Sequence, residues 1–271
     1  NVFGANTYRA FLFANGLLGT FLIGVAIATF FTGSDFIVNK ANITEQLTPA
    51  ISQWQNPWHG LEALLSIRNL TLGLAVFFLS RAQATLFFIN RLSNPVLEKR
   101  SRKYLLINTL PFLVFFLTFV IWTLLSEGFA VDATTGVVTM EKYKYFTNLI
   151  EMPVILVFLL LGVVGVLYGI GRSLLSEKFK SGIWFSGIGT IITVCCLFLI
   201  AGYNNTSFYP SINLQSSLTI SNASSSLFTL KAMSIVSIAI PFVLAYIFYA
   251  WRAMEKNRTD IDDVNNDSHA Y

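Results

Sequence analysis

The sequence is poor in charged residues and in metal-ligating side chains. Only 12% of its 271 residues are Asp, Glu, Lys or Arg, about half the share found in soluble domains. Its two cysteines, Cys195 and Cys196, are adjacent within an apolar stretch, so a disulfide framework is not supported. Its two histidines are His59 and His269. Cys-x-x-Cys, His-Glu-x-x-His and Gly-rich nucleotide motifs are all absent.

Apolar residues fill the sequence instead. Hydrophobic residues make up 54% of the chain and include 25 Phe, and the mean hydropathy is +0.63. This composition indicates a membrane protein. The net charge is +4, but the basic residues lie in short loops between apolar runs, so we attribute them to membrane topology and expect no nucleic-acid partner.

Six apolar runs are each long enough, at about 20 residues or more, to cross a hydrocarbon core of about 30 Å. Backbone polar groups in lipid must pair within the segment, so we predict that every run is helical and we find no strand pattern. The predicted fold class is an all-α, polytopic transmembrane helix bundle at residues 1–256, followed by a disordered cytoplasmic tail at residues 257–271. The predicted spans are residues 8–31, 61–89, 104–125, 147–170, 182–202 and 227–251.

The basic residues fall in alternate loops. They concentrate in residues 91–103, 172–180 and 252–258. By contrast, residues 203–226 contain no Asp, Glu, Lys or Arg. Because Lys- and Arg-rich loops stay in the cytoplasm, we predict that both ends of the chain are cytoplasmic. The loops predicted to face outward are residues 33–60, 128–146 and 203–226.

Two rows of small residues predict close contacts between helices, because association in lipid depends on close packing. One row lies on span one and the other on span four. Packing within the subunit and contact with a partner subunit both remain open. The predicted helix-packing residues are Gly16, Thr20 and Gly24, continued by Ala28 and Thr32, and Gly162, Gly165 and Gly169.

Six charged side chains near or within the spans are the candidate functional residues, since charge inside a bilayer is costly and is usually paired or functional. Five lie near the outer ends of their spans, where mutual pairing is expected, and Arg81 lies deeper, in the inner half of span two. A structural role, as paired or snorkelling side chains, and a proton- or quinone-associated role both remain open. The six are Glu62, Arg68, Arg81, Glu127, Glu151 and Lys231.

Span two also carries a polar stripe within about one third of its circumference at 100° per residue. Such a stripe should face protein or water. It could line a water-filled route or form hydrogen bonds between helices. The stripe consists of His59, Glu62, Ser66, Asn69, Gly73, Ser80 and Gln83.

No residues suited to binding haem come together in the sequence. Haem iron needs axial ligands such as His, Met or Cys. His59 lies at the outer edge of span two, His269 lies in the tail, and none of the four methionines pairs with a histidine. We therefore predict no catalytic, cofactor-binding or metal-binding residue in this chain.

A long segment near the end of the chain resembles a known family. An uncharged loop containing Asn222-Ala-Ser-Ser and Thr229-Leu-Lys leads into an apolar run with Pro241 and several Tyr. This pattern is similar to the carboxy-terminal end of subunit II of cytochrome bd-type ubiquinol oxidases. Residues 13–24 and 29–34 resemble the same family, so the resemblance covers nearly the whole chain.

The resemblance implies a subunit of a membrane quinol:oxygen oxidoreductase in the bacterial inner (plasma) membrane, which passes electrons from quinol to oxygen and supports a proton gradient. It also implies that haems b and d belong to a partner, the haem-bearing subunit I. Further expected partners are membrane lipid, quinone (including a structural quinone) and a small single-helix peptide.

Family members begin with additional spans whose acidic residues are implicated in proton uptake. Because the chain starts at Asn1, just before what would be a middle span, we expect an amino-terminally truncated sequence. Those acids therefore map onto no residue here. The alternative to the oxidase interpretation is a polytopic transporter or channel that uses the span-two stripe and Arg81, although no clear internal repeat or broken helix supports it.

Overall fold

The computed structural model describes residues 4–39 and 51–254. Six helices within these residues are long and apolar enough to cross a membrane, which confirms the all-α, multi-pass fold class. The predicted tail at residues 257–271 lies outside the described residues. The elements are α1 (Ala5–Thr32), β1 (Phe36–Val38), β2 (Ser52–Trp54), α2 (Ile67–Arg91), α3 (Pro95–Leu125), β3 (Glu127–Val131), β4 (Val138–Lys142), α4 (Lys144–Glu151), α5 (Pro153–Leu175), α6 (Gly182–Gly202), α7 (Ile220–Ala223) and α8 (Leu227–Met254), with 3-10 helices at Leu61–Leu65 and Leu214–Ser216.

The predicted start of span two was wrong by six residues. Leu61–Leu65 is a separate 3-10 helix, and α2 begins at Ile67. Ser66 caps α2, and its hydroxyl accepts a hydrogen bond from the backbone N–H of Asn69 at 3.4 Å. A serine at this position satisfies one of the free N–H groups of the first turn, which fixes the start of the helix there.

The predicted start of span four was also wrong. The helix that contains Thr147 is the short α4, which ends at Glu151, and Met152 leaves helical geometry with φ −114° and ψ 70°. Pro153 then begins α5. Proline has no N–H to continue a helical ladder and is favoured at the first position of a new helix, so the spanning helix starts there.

Four short strands correct the expectation of a chain without strands. They form two antiparallel hairpins, in which Phe36 lies opposite Trp54 and Glu127 lies opposite Lys142. Both hairpins lie in loops between spanning helices, where water can satisfy the outer edges of a strand. The rule that restricts lipid-exposed backbone to helices does not apply there.

The bundle has two chemically different ends. At one end, bridges join Ser34 to Ser211 and Ala130 to Thr206, which brings together the hairpins and the segment after α6. We call this the loop-rich end. At the other end, which we call the basic end, the loops after α2 and α5 meet, where Asn90 donates to the backbone carbonyl of Lys180 at 3.0 Å.

Helices α5 and α6 approach each other through glycine. A Cβ placed on Gly162 would lie 2.9 Å from the backbone nitrogen of Thr193, and one on Gly189 would lie 2.5 Å from the carbonyl oxygen of Gly162. A Cβ on Gly169 would lie 2.5 Å from the carbonyl oxygen of Gly182. Side chains at these positions would separate the two backbones, so the absence of a side chain sets the distance between the helices.

Only part of the row of small residues on helix α1 packs against other helices of the described chain. Gly24 packs on α2, where an added Cβ would lie 2.8 Å from the Cα of Gly73, and Ala28 is fully buried. By contrast, a Cβ on Gly16 would meet no atom within 4 Å among the described residues. The first half of α1 therefore presents an open surface.

Helix α8 is exposed throughout. None of the residues in its most apolar window is buried, and Phe228 and Phe242 are 81% and 75% exposed. Nothing in the described part of the chain covers this helix, so its surface is available to lipid or to a partner.

Candidate functional site

Two fully buried polar side chains lie on the short helix α4 at the loop-rich end. Tyr145 is fully buried, and its hydroxyl donates to the carbonyl oxygen of Phe31 at 3.4 Å. Burial raises the pKa of Tyr145 well above that of a free phenol, because a low-dielectric site disfavours the phenolate. Tyr145 is therefore a neutral hydrogen-bond donor that ties α4 to the end of α1.

Asn148 lies one turn later on α4 and is also fully buried. Its side-chain amide donates to the carbonyl oxygen of Ile200 at 3.0 Å and to the hydroxyl oxygen of Thr206 at 2.7 Å. The last carbonyls of a helix have no partner within the helix. Asn148 therefore satisfies the end of α6 and holds the following loop in place.

Arg68 and Glu62 lie at the same end, Arg68 in the first turn of α2 and Glu62 in the 3-10 helix that precedes it. The Glu62 carboxylate accepts from the backbone N–H of Gly60 at 2.9 Å, but its other oxygen is buried with no described partner. The Nε and one terminal nitrogen of Arg68 are likewise buried and have no partner among the described residues. Buried polar groups of this kind usually bond to water or to a partner chain.

Glu127, Glu151 and Lys231 lie outside the bundle interior. Glu127 is exposed at the start of β3, opposite Lys142, and Lys231 is exposed on α8. Glu151 is the last residue of α4, and its carboxylate accepts from the side-chain amide of Asn204 at 2.5 Å. In the described part of the chain, no ion pair within 4 Å joins any two of the six candidate charges.

Of the predicted polar stripe, His59, Glu62 and Ser66 lie before α2, and only the part from Asn69 to Gln83 lies on this helix. That part bonds to neighbouring helices at two levels. Near the loop-rich end, the hydroxyl of Thr32 donates to the side-chain oxygen of Asn69 at 2.9 Å. Nearer the basic end, the amide of Gln83 donates to the hydroxyl oxygens of Ser186 at 2.9 Å and Thr190 at 3.0 Å. These contacts favour hydrogen bonding between helices over a water-filled route.

Arg81, the deepest of the six candidates, bonds to α3 rather than to the helices that the stripe contacts. Its Nε donates to the side-chain oxygen of Asn108 on α3 at 2.9 Å, and its guanidinium lies 5.6 Å from the ring centre of Phe77. The rest of the side chain is exposed. Arg81 therefore presents a positive charge on the outer surface of the α2–α3 pair.

An apolar cavity of about 260 Å³ lies between α1, α2, α3, α5 and α6. Phe31, Leu72, Phe112 and Val166 form much of its wall, and the hydroxyl-bearing Thr193 also borders it. The Thr193 hydroxyl already donates to the carbonyl oxygen of Gly189. The cavity suits a small apolar group rather than water, which needs two to four polar partners.

The described residues bring together few side chains that could bind a metal ion. No group of three or more His, Cys, Asp or Glu side chains comes together among residues 4–39 and 51–254. His59 lies in an exposed turn with φ +49° before α2.

Sequence analysis missed the polar contacts made by α4. Lys144, Tyr145, Asn148 and Leu149 are all buried on one face of that helix. Their spacing of one and four residues is typical of an amphipathic helix with one buried face. It was hidden because the segment was assigned partly to the loop and partly to span four.

The chain matches the family described as cytochrome bd terminal oxidase subunit II over residues 2–254. A comparison with curated proteins gave no match. The family match confirms the resemblance found in the sequence, and it agrees with the six apolar helices of the bundle. The chain therefore belongs to the cytochrome bd terminal oxidase subunit II family and is part of a membrane oxidase complex that includes a subunit I.

Proposed function

We propose that this chain is the haem-free subunit of a cytochrome bd-type quinol:oxygen oxidoreductase in a bacterial plasma membrane. The family match over residues 2–254 carries this proposal. In it, haems b and d sit in subunit I, which passes electrons from quinol to oxygen. The present chain supports that reaction by holding subunit I in a stable complex, and the complex generates a proton gradient.

Exposed apolar helices support a docking role. Helix α8 and the first half of α1 are exposed in the described part of the chain. Gly16 and Gly19 have open space around them, as expected of small residues at which another helix approaches closely. We propose that subunit I, and a small single-helix peptide, occupy part of this surface.

The loop charges support an orientation with the basic end in the cytoplasm. Arg91 is the last residue of α2, and Lys99 lies in the second turn of α3, which begins at Pro95 and not at the predicted residue 104. Lys178 lies in the loop after α5. The loop-rich end would then face outward. We propose a structural role for all six candidate charges. The side chains of Glu62, Arg81 and Glu151 each bond to another residue of the chain.

The apolar cavity supports the expected structural quinone. Its volume of about 260 Å³ suits a ring or part of an isoprenoid tail, and apolar walls with few polar groups are usual for such ligands. Thr193 and Thr190 are the hydroxyl-bearing residues at its wall. We propose that a quinone bound here stabilises the bundle.

Deleting the chain from its host tests the proposal. Membranes that contain subunit I alone should lose quinol-dependent oxygen consumption, and plasmid-borne restoration of the chain should recover it. Unchanged quinol oxidation in the deletion strain would contradict the proposal. In reconstituted vesicles, the purified chain alone should give no substrate flux, whereas flux would favour a transporter.

A further inference from the structure

A groove at the basic end, between α2 and α3, brings two arginines next to an apolar wall. The groove has a volume of about 540 Å³. None of the described residues that line it is acidic. We call it the two-arginine groove and define it by Arg81, Phe88, Leu92, Arg100, Ser101 and Tyr104.

Both guanidinium groups are held in position but keep unused donors. Arg81 bonds through Nε to Asn108, and its terminal nitrogens bond to no described residue. Arg100 lies over the ring of Tyr104 at 5.6 Å from the ring centre. A guanidinium has five N–H donors, so the pair presents several donors toward the groove.

Nearby groups of the basic end do not neutralise these charges. Glu98, the acid closest in sequence to Arg100, is already paired with Lys180. The guanidinium of Arg102 binds the end of α5, where it donates to the carbonyl oxygens of Ser176 at 3.1 Å and Glu177 at 3.0 Å. Arg81 and Arg100 have no ion-pair partner within the described residues.

In the orientation proposed above, the groove runs from the membrane interface into the hydrocarbon layer. Arg100 lies near the start of α3, among the loop cations, whereas Arg81 lies ten residues before the end of α2, or about 15 Å along the helix axis. An exposed positive charge at that depth is costly. The remaining wall is apolar at Phe88 and Leu92, which suits an acyl chain more than a soluble anion.

We propose that the two-arginine groove binds one anionic phospholipid. Its phosphate accepts hydrogen bonds from Arg81 and Arg100, with Ser101 and Tyr104 beside it, and its acyl chains lie along Phe88 and Leu92. Charge-assisted bonds between guanidinium and phosphate are strong, and basic pockets between membrane helices are suited to such headgroups. This site goes beyond the proposed redox function and does not depend on it.

Lipid retained by the assembled, detergent-purified complex tests the site. Phosphatidylglycerol and phosphatidylethanolamine are counted per complex by mass spectrometry for the wild type and for the double variant Arg81→Gln/Arg100→Gln. We expect retained phosphatidylglycerol to fall about 25-fold, since each of the two arginines near an anionic lipid contributes about a fivefold change in affinity. Phosphatidylethanolamine should not change.

The control Lys99→Gln/Lys103→Gln removes the same charge from exposed residues outside the groove and should keep the wild-type lipid. Equal loss in both double variants, or no loss in either, would overturn the proposal. The proposal would also be overturned if inorganic phosphate displaced the lipid from the wild-type complex, or if the groove variant lost subunit I but kept its lipid. If the groove variant does not assemble, Arg100→Gln alone should still lower retention and Arg100→Lys should restore it.

Discussion

Single polar residues at the loop-rich end connect elements that apolar packing alone would leave free to move. Asn148 bonds to the last turn of α6 and to the loop beyond it, while Tyr145 bonds to the end of α1. Because both side chains are fully buried, water cannot replace a lost partner. These residues therefore fix the geometry of the loops more than they lower the free energy of the helices.

Replacing Asn148 with Leu should destabilise the complex. The change removes the amide donors and leaves the buried carbonyl of Ile200 without this partner, at a cost of about 1–3 kcal/mol. We expect a lower thermal midpoint of the purified complex by differential scanning calorimetry. Asn213→Leu, at an exposed residue whose side chain makes no described hydrogen bond, should leave the midpoint unchanged; equal shifts would refute this role.

Replacing Lys231 with Leu should weaken assembly more than it changes turnover. Lys231 is exposed on α8 and has no ion-pair partner among the described residues. If subunit I supplies its partner, removal of one member of a buried pair costs about 3–5 kcal/mol. Complex yield should fall while oxygen consumption per assembled complex stays unchanged; normal yield with lost oxygen consumption would instead indicate a proton role.

The helices pack in pairs that depend on short side chains. Gly162 and Gly169 on α5 face Gly182 and Gly189 on α6 at distances that leave no room for a Cβ. Here the backbone itself forms the contact surface, so a larger residue cannot be accommodated by a change of rotamer.

Gly189→Val should therefore separate α5 from α6. Its Cβ would lie 2.5 Å from the carbonyl oxygen of Gly162 and 2.7 Å from the backbone nitrogen of Val166, and overpacking of this kind costs about 1–3 kcal/mol. Gly187→Val on the same helix is the matched control, because no atom lies within 4 Å of its Cβ position. Complex yield and thermal midpoint should fall only for Gly189→Val.

The sequence predicted the spanning helices well because a long apolar run has few alternatives in lipid. Span five was predicted with the bounds that the structure gives to α6, Gly182–Gly202. The starts of α2 and α5 were missed because apolar residues continue across Ser66 and Pro153, so hydropathy alone did not reveal the breaks. Contacts such as that between Gln83 and Ser186 join residues distant in sequence, and no pattern in one sequence identifies the partner.

At the scale of the whole molecule, one spanning helix of the described bundle does not pack into its core. Five spanning helices share a core around Phe31, Leu86 and Phe119, but α8 contributes no buried residue to it. A helix of this kind is stable in lipid by itself. Its position in the complex is set by what covers it, which we propose is subunit I.

Cysteine labelling along α8 tests whether subunit I contacts this helix. Ile235, Val236 and Ile238 point to different sides of the helix, and each is more than half exposed. In a background with Cys195 and Cys196 replaced by alanine, a lipid-soluble maleimide should label all three cysteine variants in the isolated chain. In the complex with subunit I at least one should be protected, and equal labelling of all three in both states would rule out a subunit contact on this helix.

The central claim is that this member of the cytochrome bd terminal oxidase subunit II family carries no haem and works by binding a subunit that does. Haem per polypeptide, measured by pyridine haemochrome absorbance, tests it most directly on the chain purified alone and on the chain co-purified with subunit I. The account predicts haem b and haem d absorbance only in the co-purified complex. Stoichiometric haem in the isolated chain would contradict it.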